Sequence, residues 1–286
     1  MRIACVQFDP QLMDVPGNQT RADALIAERV ARGRVDLLLM PEMAFTGYCF
    51  KDRAEILPYC EVAENGPTAS WCQRTARRLD CVVVAGFPER RRDGRLFNSL
   101  LAVDAHGAVR HVHRKRFLYT TDESWATEGS AFTRSELPGL GRCAFGICMD
   151  VNPHQFKAPI DRFEFASSLF TPPLDHHELG EEQRLNTDVV ILAANWLRNP
   201  ADAGLADEEH CRHLVNYWAY RLSPALAQPV VVAIANRVGV ERDTRFAGCS
   251  CVIDLRTRTL LGRLDGIEED VLVVDDVPGY PLRAGA

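Results

Sequence analysis

Short, nearly unbroken apolar runs limit what this chain can become. The clearest span residues 35–40, 189–194 and 230–235, and the last two stop abruptly at Asn195 and Asn236. None approaches the roughly 20 residues of a membrane-spanning helix. All are too continuous for strands with one wet face, so each is expected to be a strand covered on both sides. With 47% hydrophobic residues in a chain of 286, there is apolar material for a sizeable core, and a disordered chain is excluded.

Further strand patterns fall at residues 3–8, 81–87, 97–103, 109–114, 142–147, 246–254 and 271–274. Helical patterns lie between them. After Gly66-Pro67, residues Trp71, Cys72, Thr75, Ala76 and Leu79 follow one buried helix face, and proline suits a first helical turn. A helix over 18–32 would bury Leu25, Ile26 and Val30, and one over 207–222 would turn Leu214, Tyr217 and Trp218 inward. Ala105-His106-Gly107 marks a hairpin turn. Residues 167–186 form the one long irregular stretch, of the kind that in compact domains is often functional. No linker or low-complexity tract divides the chain, so one α/β domain over residues 1–286 is expected, with two sheets packed together and helices outside.

The excess of 39 acidic over 33 basic residues gives a net charge of −6, which argues against a nucleic-acid partner or docking on anionic lipid. The first eight residues read as a strand and not as a secretory leader. Ten cysteines without a Cys-x-x-Cys pair, several inside apolar stretches (Cys5, Cys81, Cys143, Cys249, Cys251), read mostly as small packing residues in a reducing, cytoplasmic setting. His176-His177 and the pair His210 and His213 share no metal-ligand spacing, and no metal is expected there.

Three apolar strands each deliver a different reactive group just past their last apolar residue. Leu37-Leu38-Leu39-Met40-Pro41 leads to Glu42, residues 109–114 lead to Lys115, and Ala144-Phe145-Gly146-Ile147 leads to Cys148. Strand carboxyl ends are where α/β folds gather ligand and catalytic groups. Taken singly, each is an ordinary core cysteine, turn glutamate or surface lysine. Together they make a coherent set: a thiol nucleophile, a carboxylate that takes and returns its proton, and an ammonium that holds an oxyanion.

Three ordered segments carry a resemblance. They are Met40-Pro41-Glu42-Met43-Ala44-Phe45-Thr46-Gly47-Tyr48, His113-Arg114-Lys115-Arg116-Phe117-Leu118 and Phe145-Gly146-Ile147-Cys148-Met149-Asp150. On these the chain resembles the nitrilase, or carbon–nitrogen hydrolase, superfamily, over most of its length from Ile3 to Asp254. The resemblance implies a four-layer α-β-β-α sandwich and a catalytic Glu42, Lys115 and Cys148. It adds Glu123, eight residues beyond the lysine, where amidase members often carry a second glutamate. Many members continue Cys-x-Asp-x-Arg-Phe-Pro, whereas this chain reads Cys148-Met149-Asp150-Val151-Asn152-Pro153. That departure, and Phe163-Glu164-Phe165-Ala166 beyond it, resembles the fungal branch that deamidates N-terminal Asn and Gln of proteins or peptides in the N-degron pathway.

By that resemblance Glu42 takes the Cys148 proton, and Lys115 with the Met149 backbone N–H stabilises the oxyanion. Each such donor is worth roughly 3–4 kcal/mol of barrier. Glu123 orients the lysine, and no cofactor is required. A substrate with an α-ammonium group needs acceptors, for which Asp150, Glu123, Asp175 and the neutral Asn152 are available. Asp150 has a second reading as a brace of the nucleophile turn. Trp125, Trp196 and Tyr48 are candidate pocket walls. The same triad serves ω-amidases, aliphatic amidases and nitrilases, and a silent binding scaffold is the remaining alternative. A homodimer pairing through outer helices is expected from the superfamily, although a peptide-acting member could need an open, monomeric mouth.

Overall fold

Alternation within the apolar runs decides which neighbour each side chain meets. In a computed structural model, which describes residues 1–30, 34–169, 187–202, 204–226 and 229–277, the first half of the chain forms β1 (Ile3–Gln7), α1 (Val15–Val30), β2 (Leu37–Leu39), α2 (Arg53–Ile56), α3 (Pro67–Leu79), β3 (Val82–Arg90), β4 (Leu96–Val103) and β5 (Val109–Arg114). Then follow α4 (Thr120–Glu123), β6 (Thr133–Leu137), β7 (Gly141–Ile147), α5 (Glu164–Ser168), β8 (Val189–Ala194) and α6 (Asp207–Arg221). The remainder supplies β9 (Val231–Asn236), a small hairpin of β10 (Val240–Glu241) and β11 (Thr244–Arg245), then β12 (Cys251–Asp254), β13 (Thr259–Arg263) and β14 (Asp270–Val274).

One sheet has the order β14-β1-β2-β3-β4-β5 and the other β13-β12-β9-β8-β7-β6. Read inward from β5 and from β13, both show the same succession of two antiparallel, two parallel and one antiparallel pairing. The strand order thus repeats, with β1, β2 and β3 answered by β7, β8 and β9.

Leu37, Leu39, Val82, Val84 and Leu100 of the first sheet face Cys143, Phe145, Ile147, Ile191 and Ala233 of the second, making the central core. The intervening residues point outward. Leu38, Val83 and Ala85 pack under Ile26 of α1 and Trp71 and Cys72 of α3. Ala144, Val190, Leu192 and Val232 pack under Phe165 of α5 and Leu214 and Trp218 of α6. The result is the four-layer α-β-β-α sandwich expected from the sequence.

Several boundaries differ for local reasons. α1 begins at Val15, because Asp14 accepts from the Gly17 N–H, and Asn18 is buried in bonds to the Gln11 and Phe45 carbonyls. Leu25 and Tyr217 are half-buried, not core residues. The strand expected over 246–254 shortens to β12, since Gly248 and Cys249 carry φ of 61° and 62°, outside the strand region. β6 and β13 are edge strands whose polar or exposed residues gave no apolar signal. Cys249 is also not a free packing thiol: it is bonded to Cys211 of α6, leaving eight free cysteines.

Gly86 of β3 lies directly beneath the segment that carries Glu42. A Cβ there would meet the Met43 nitrogen at 2.4 Å and the Glu42 Cα at 2.6 Å, both backbone atoms. Its N–H donates to Pro41 and its carbonyl accepts from Ala44. Gly86→Ala is expected to lift this segment and destabilise the protein by about 1–3 kcal/mol in urea unfolding. Wild-type stability in the variant would contradict this close approach.

Candidate active site

Glu42, two residues beyond the buried Met40, Lys115, directly after β5, and Cys148, directly after β7, come together at one end of the sandwich. The Lys115 Nζ donates to Glu42 Oε1 at 2.7 Å and to Asp122 Oδ2 at 2.6 Å, with all three side chains fully buried. Asn98 of β4 shares the inward face with Leu100. Its Nδ2 donates to Glu42 Oε1 at 2.6 Å and to Asp122 Oδ1 at 3.0 Å. The other oxygen of Glu42 accepts from the backbone N–H of Asn195, just past β8, at 2.7 Å. Asp122 is completed by the Tyr119 N–H at 3.0 Å and the Tyr48 hydroxyl at 3.4 Å.

Cys148 is half-buried and has φ of +42°, a left-handed conformation that costs a non-glycine residue roughly 1–3 kcal/mol. The turn that holds it is tied down by Asp150. Its Oδ2 accepts from the Ile147 N–H at 2.8 Å and from His113 Nε2 at 3.0 Å. Its Oδ1 accepts from the N–H groups of Arg116 and Phe117, both at 2.9 Å. One buried carboxylate therefore joins the thiol turn to the backbone just after Lys115. This corrects Asp150 as an acceptor for substrate: both oxygens are already committed.

Burial and the local charges bias the protonation states. Loss of solvent raises Glu42 above the usual carboxylate range, with Asp122 adding to the rise and Lys115 opposing it. Burial likewise pushes the Cys148 thiol well above its ordinary value, reinforced by Glu42 and only partly offset by Lys115. Burial works against the Lys115 ammonium, but Asp122 and Glu42 outweigh it and raise its pKa. Both shifts favour the protonated thiol and a carboxylate that binds a proton more readily than usual.

A cavity of about 750 Å³ opens onto Cys148 and is walled there by Met149, Asn152, Asn195 and Trp196. Asn152 Oδ1 accepts from the Tyr217 hydroxyl at 2.6 Å, and Trp196 packs between Tyr217 and Trp218. Tyr48 and Trp125 do not line the cavity; they are buried with Met43 and Phe50 in a cluster behind the ion pair. Glu123 is exposed, and Asp122 occupies the position beside Lys115 that the resemblance implied for Glu123. Successive residues of a helix point about 100° apart, so in the short α4 only one of the two acids can face inward. Asp175, His176 and His177 lie outside the described residues. His210 holds α6 to the chain beside it by donating from Nε2 to the Ala247 carbonyl at 3.2 Å.

The model of the family described as "Carbon-nitrogen hydrolase" matches residues 2–155, which include Glu42, Lys115 and Cys148. The chain belongs to the carbon-nitrogen hydrolase family. It is 34% identical to a protein N-terminal amidase of Schizosaccharomyces pombe, over 96% of this chain and 98% of that one. It is 30% identical to a protein N-terminal amidase of Saccharomyces cerevisiae over 68% of this chain, a match spanning 49% of that longer protein. The fold matches the crystal structure of an N-terminal amidase with a Gln-Gly peptide at a TM-score of 0.78 and 19% identity, covering 96% of each chain.

Within this carbon-nitrogen hydrolase, sequence reasoning missed Asp122 and Asn98. Asp122 was one residue from the expected acid, and the Thr120-Thr121 lead into a helical turn was the available signal. The Asn98-Ser99 pair, polar within a strand whose other residues are apolar, was the signal for the second. No helix among the described residues is long and apolar enough to cross a membrane.

Because Asn98 stabilises the charged form of Glu42, Asn98→Ala should raise the Glu42 pKa further. If ionised Glu42 is required, activity falls as pH drops through that raised pKa, so the acid limb of kcat/KM for amide hydrolysis should move to higher pH in the variant. An unmoved limb would separate Glu42 from the rate. Iodoacetamide should modify Cys148 ahead of the seven other free thiols, because the cavity reaches it and Glu42 can take its proton as sulfur attacks; Glu42→Gln, which removes that proton acceptor, should diminish the preference, as read by peptide mass mapping.

Proposed function

We propose that this chain is an amidohydrolase that deamidates an N-terminal Asn or Gln of proteins or peptides, releasing ammonia through a thioester. The full-length 34% identity to the S. pombe protein N-terminal amidase carries this reading. The cavity supports it, since its volume far exceeds one carboxamide side chain and leaves room for following residues beyond Cys148.

Glu42 accepts the Cys148 proton as sulfur attacks the side-chain carboxamide carbon. Lys115 and the Met149 backbone N–H hold the oxyanion. Protonated Glu42 gives its proton to the leaving nitrogen, ammonia departs, and an acyl thioester remains on Cys148. Water, activated by Glu42, adds to the thioester, and collapse returns the proton to sulfur and releases N-terminal Asp or Glu. Asp122 and Asn98 keep Lys115 and Glu42 in register. Such products suit an N-degron pathway, as the resemblance implies.

The test is a matched set of amides assayed for ammonia: N-terminal Asn and Gln peptides, their α-acetylated forms, free glutamine, an α-keto amide and a simple nitrile. The N-terminal peptides should be preferred and the acetylated forms inert, because a buried acceptor deprived of its ammonium partner costs about 1–3 kcal/mol or more. Cys148→Ala should fold and release no ammonia. Preference for the keto amide or nitrile would move the chain to another branch of the family, and turnover by folded Cys148→Ala would remove the thioester route.

A further inference from the structure

The mechanism uses the backbone of Asn195 and leaves its side chain idle. Asn195 is 2% exposed and is among the residues around the cavity at Cys148, with both amide atoms of its side chain buried just behind that surface. Neither its Oδ1 nor its Nδ2 has a hydrogen-bond partner among the described residues. The other asparagines nearby differ. Asn236, at the end of neighbouring β9, accepts from the Trp196 N–H and donates to the Gly248 carbonyl, both at 2.8 Å. Asn152 accepts from Tyr217, and Asn98 donates to two carboxylates. A buried amide with both ends unpaired is costly, and its cost is recovered when a ligand supplies one donor and one acceptor side by side.

We infer that the Asn195 side chain is the specificity-determining group that reads the free N-terminus, its Oδ1 accepting from the substrate α-ammonium and its Nδ2 donating to the carbonyl of the same residue. This rests on the N-terminal amide reading above. In that reading the scissile carboxamide is already assigned, its oxygen to Lys115 and Met149 and its nitrogen to Glu42. The polar groups of the first residue still without partners are its α-ammonium and its peptide carbonyl, a donor and an acceptor on adjacent carbons. One carboxamide facing both can satisfy them together.

Charge explains why the reader is an amide and not a carboxylate. The Asn195 N–H already bonds Glu42, and Asp122 lies on the far side of the Lys115 ammonium. A third carboxylate would oppose ionisation of both Glu42 and Cys148, the two groups that must exchange a proton. A neutral acceptor holds the ammonium without that penalty.

The experiment measures kcat/KM for ammonia release from an N-terminal Asn peptide and from the identical peptide lacking only the α-amine. Wild type, Asn195→Ala and Asn195→Asp are compared. Wild type should favour the amine-bearing peptide on the order of 10- to 100-fold. In Asn195→Ala that ratio should collapse toward unity. Asn195→Asp, which keeps an acceptor and loses the donor, should retain the preference while turning over more slowly. If Asn195→Ala fails to fold by circular dichroism, Asn195→Ser supplies the same ratio. An equal loss on both peptides in the alanine or serine variant, with the ratio unchanged, would overturn the assignment. Absence of ammonia from every N-terminal Asn and Gln peptide with wild-type protein would overturn the N-terminal amide reading itself, and this assignment with it.

Discussion

The buried Lys115 ammonium, held between Glu42 and Asp122, is the interaction on which the site depends. Three ionisable side chains without solvent contact are tolerable only when each is hydrogen-bonded nearly to capacity. Here the lysine meets two carboxylates, while Asn98, Tyr48 and two backbone N–H groups supply the remaining donors. Removing one member of such a set leaves another charge stranded, a cost of about 3–5 kcal/mol. With burial, the surplus of one carboxylate over one ammonium also favours proton binding, so Glu42 and Cys148 are both shifted toward their protonated forms.

Much of the fold can be understood as support for that cluster. Strands β2 and β8, each paired in parallel with its neighbours, lead to Glu42 and Asn195, and Cys148 follows directly on β7, so the inter-sheet core that locks these strands also sets the spacing of the reactive groups. Antiparallel β4 and β5 bring Asn98 and Lys115. Asp150 then couples the thiol turn to the chain after Lys115. The strain at Cys148 is sustained because four hydrogen bonds to Asp150 hold its surroundings. Gly86 permits the equally close seating of Glu42 on β3.

The layers and the convergence of Glu42, Lys115 and Cys148 were legible in the sequence because both depend on local patterns: apolar runs of strand length, and the residue just beyond each run. What escaped depends on side-chain direction over one or two positions. Asp122 and Glu123 are chemically interchangeable on paper, and only the helical turn of α4 decides which faces the lysine. Asp150 offered two readings, and the four donors around it come from segments more than thirty residues apart as well as from its own turn. Tyr48 and Trp125 are aromatic residues close in sequence to the reactive groups, yet they back the ion pair, and the aromatic wall of the cavity is formed by Trp196 with Tyr119, Phe156 and Tyr217. Asn195 was visible only as the end of an apolar run; that its amide is buried and unpaired requires the packed sheets.

On the proposed route, amide cleavage proceeds through an acyl group on Cys148. Partitioning with hydroxylamine tests it most directly. When an N-terminal Asn peptide is turned over in rising hydroxylamine, a thioester must divide between water and the added nucleophile. The account predicts that the side-chain hydroxamate grows at the expense of N-terminal Asp, with ammonia released for each acyl group transferred. N-terminal Asp as the sole product at every hydroxylamine concentration would indicate direct attack by water and contradict the account.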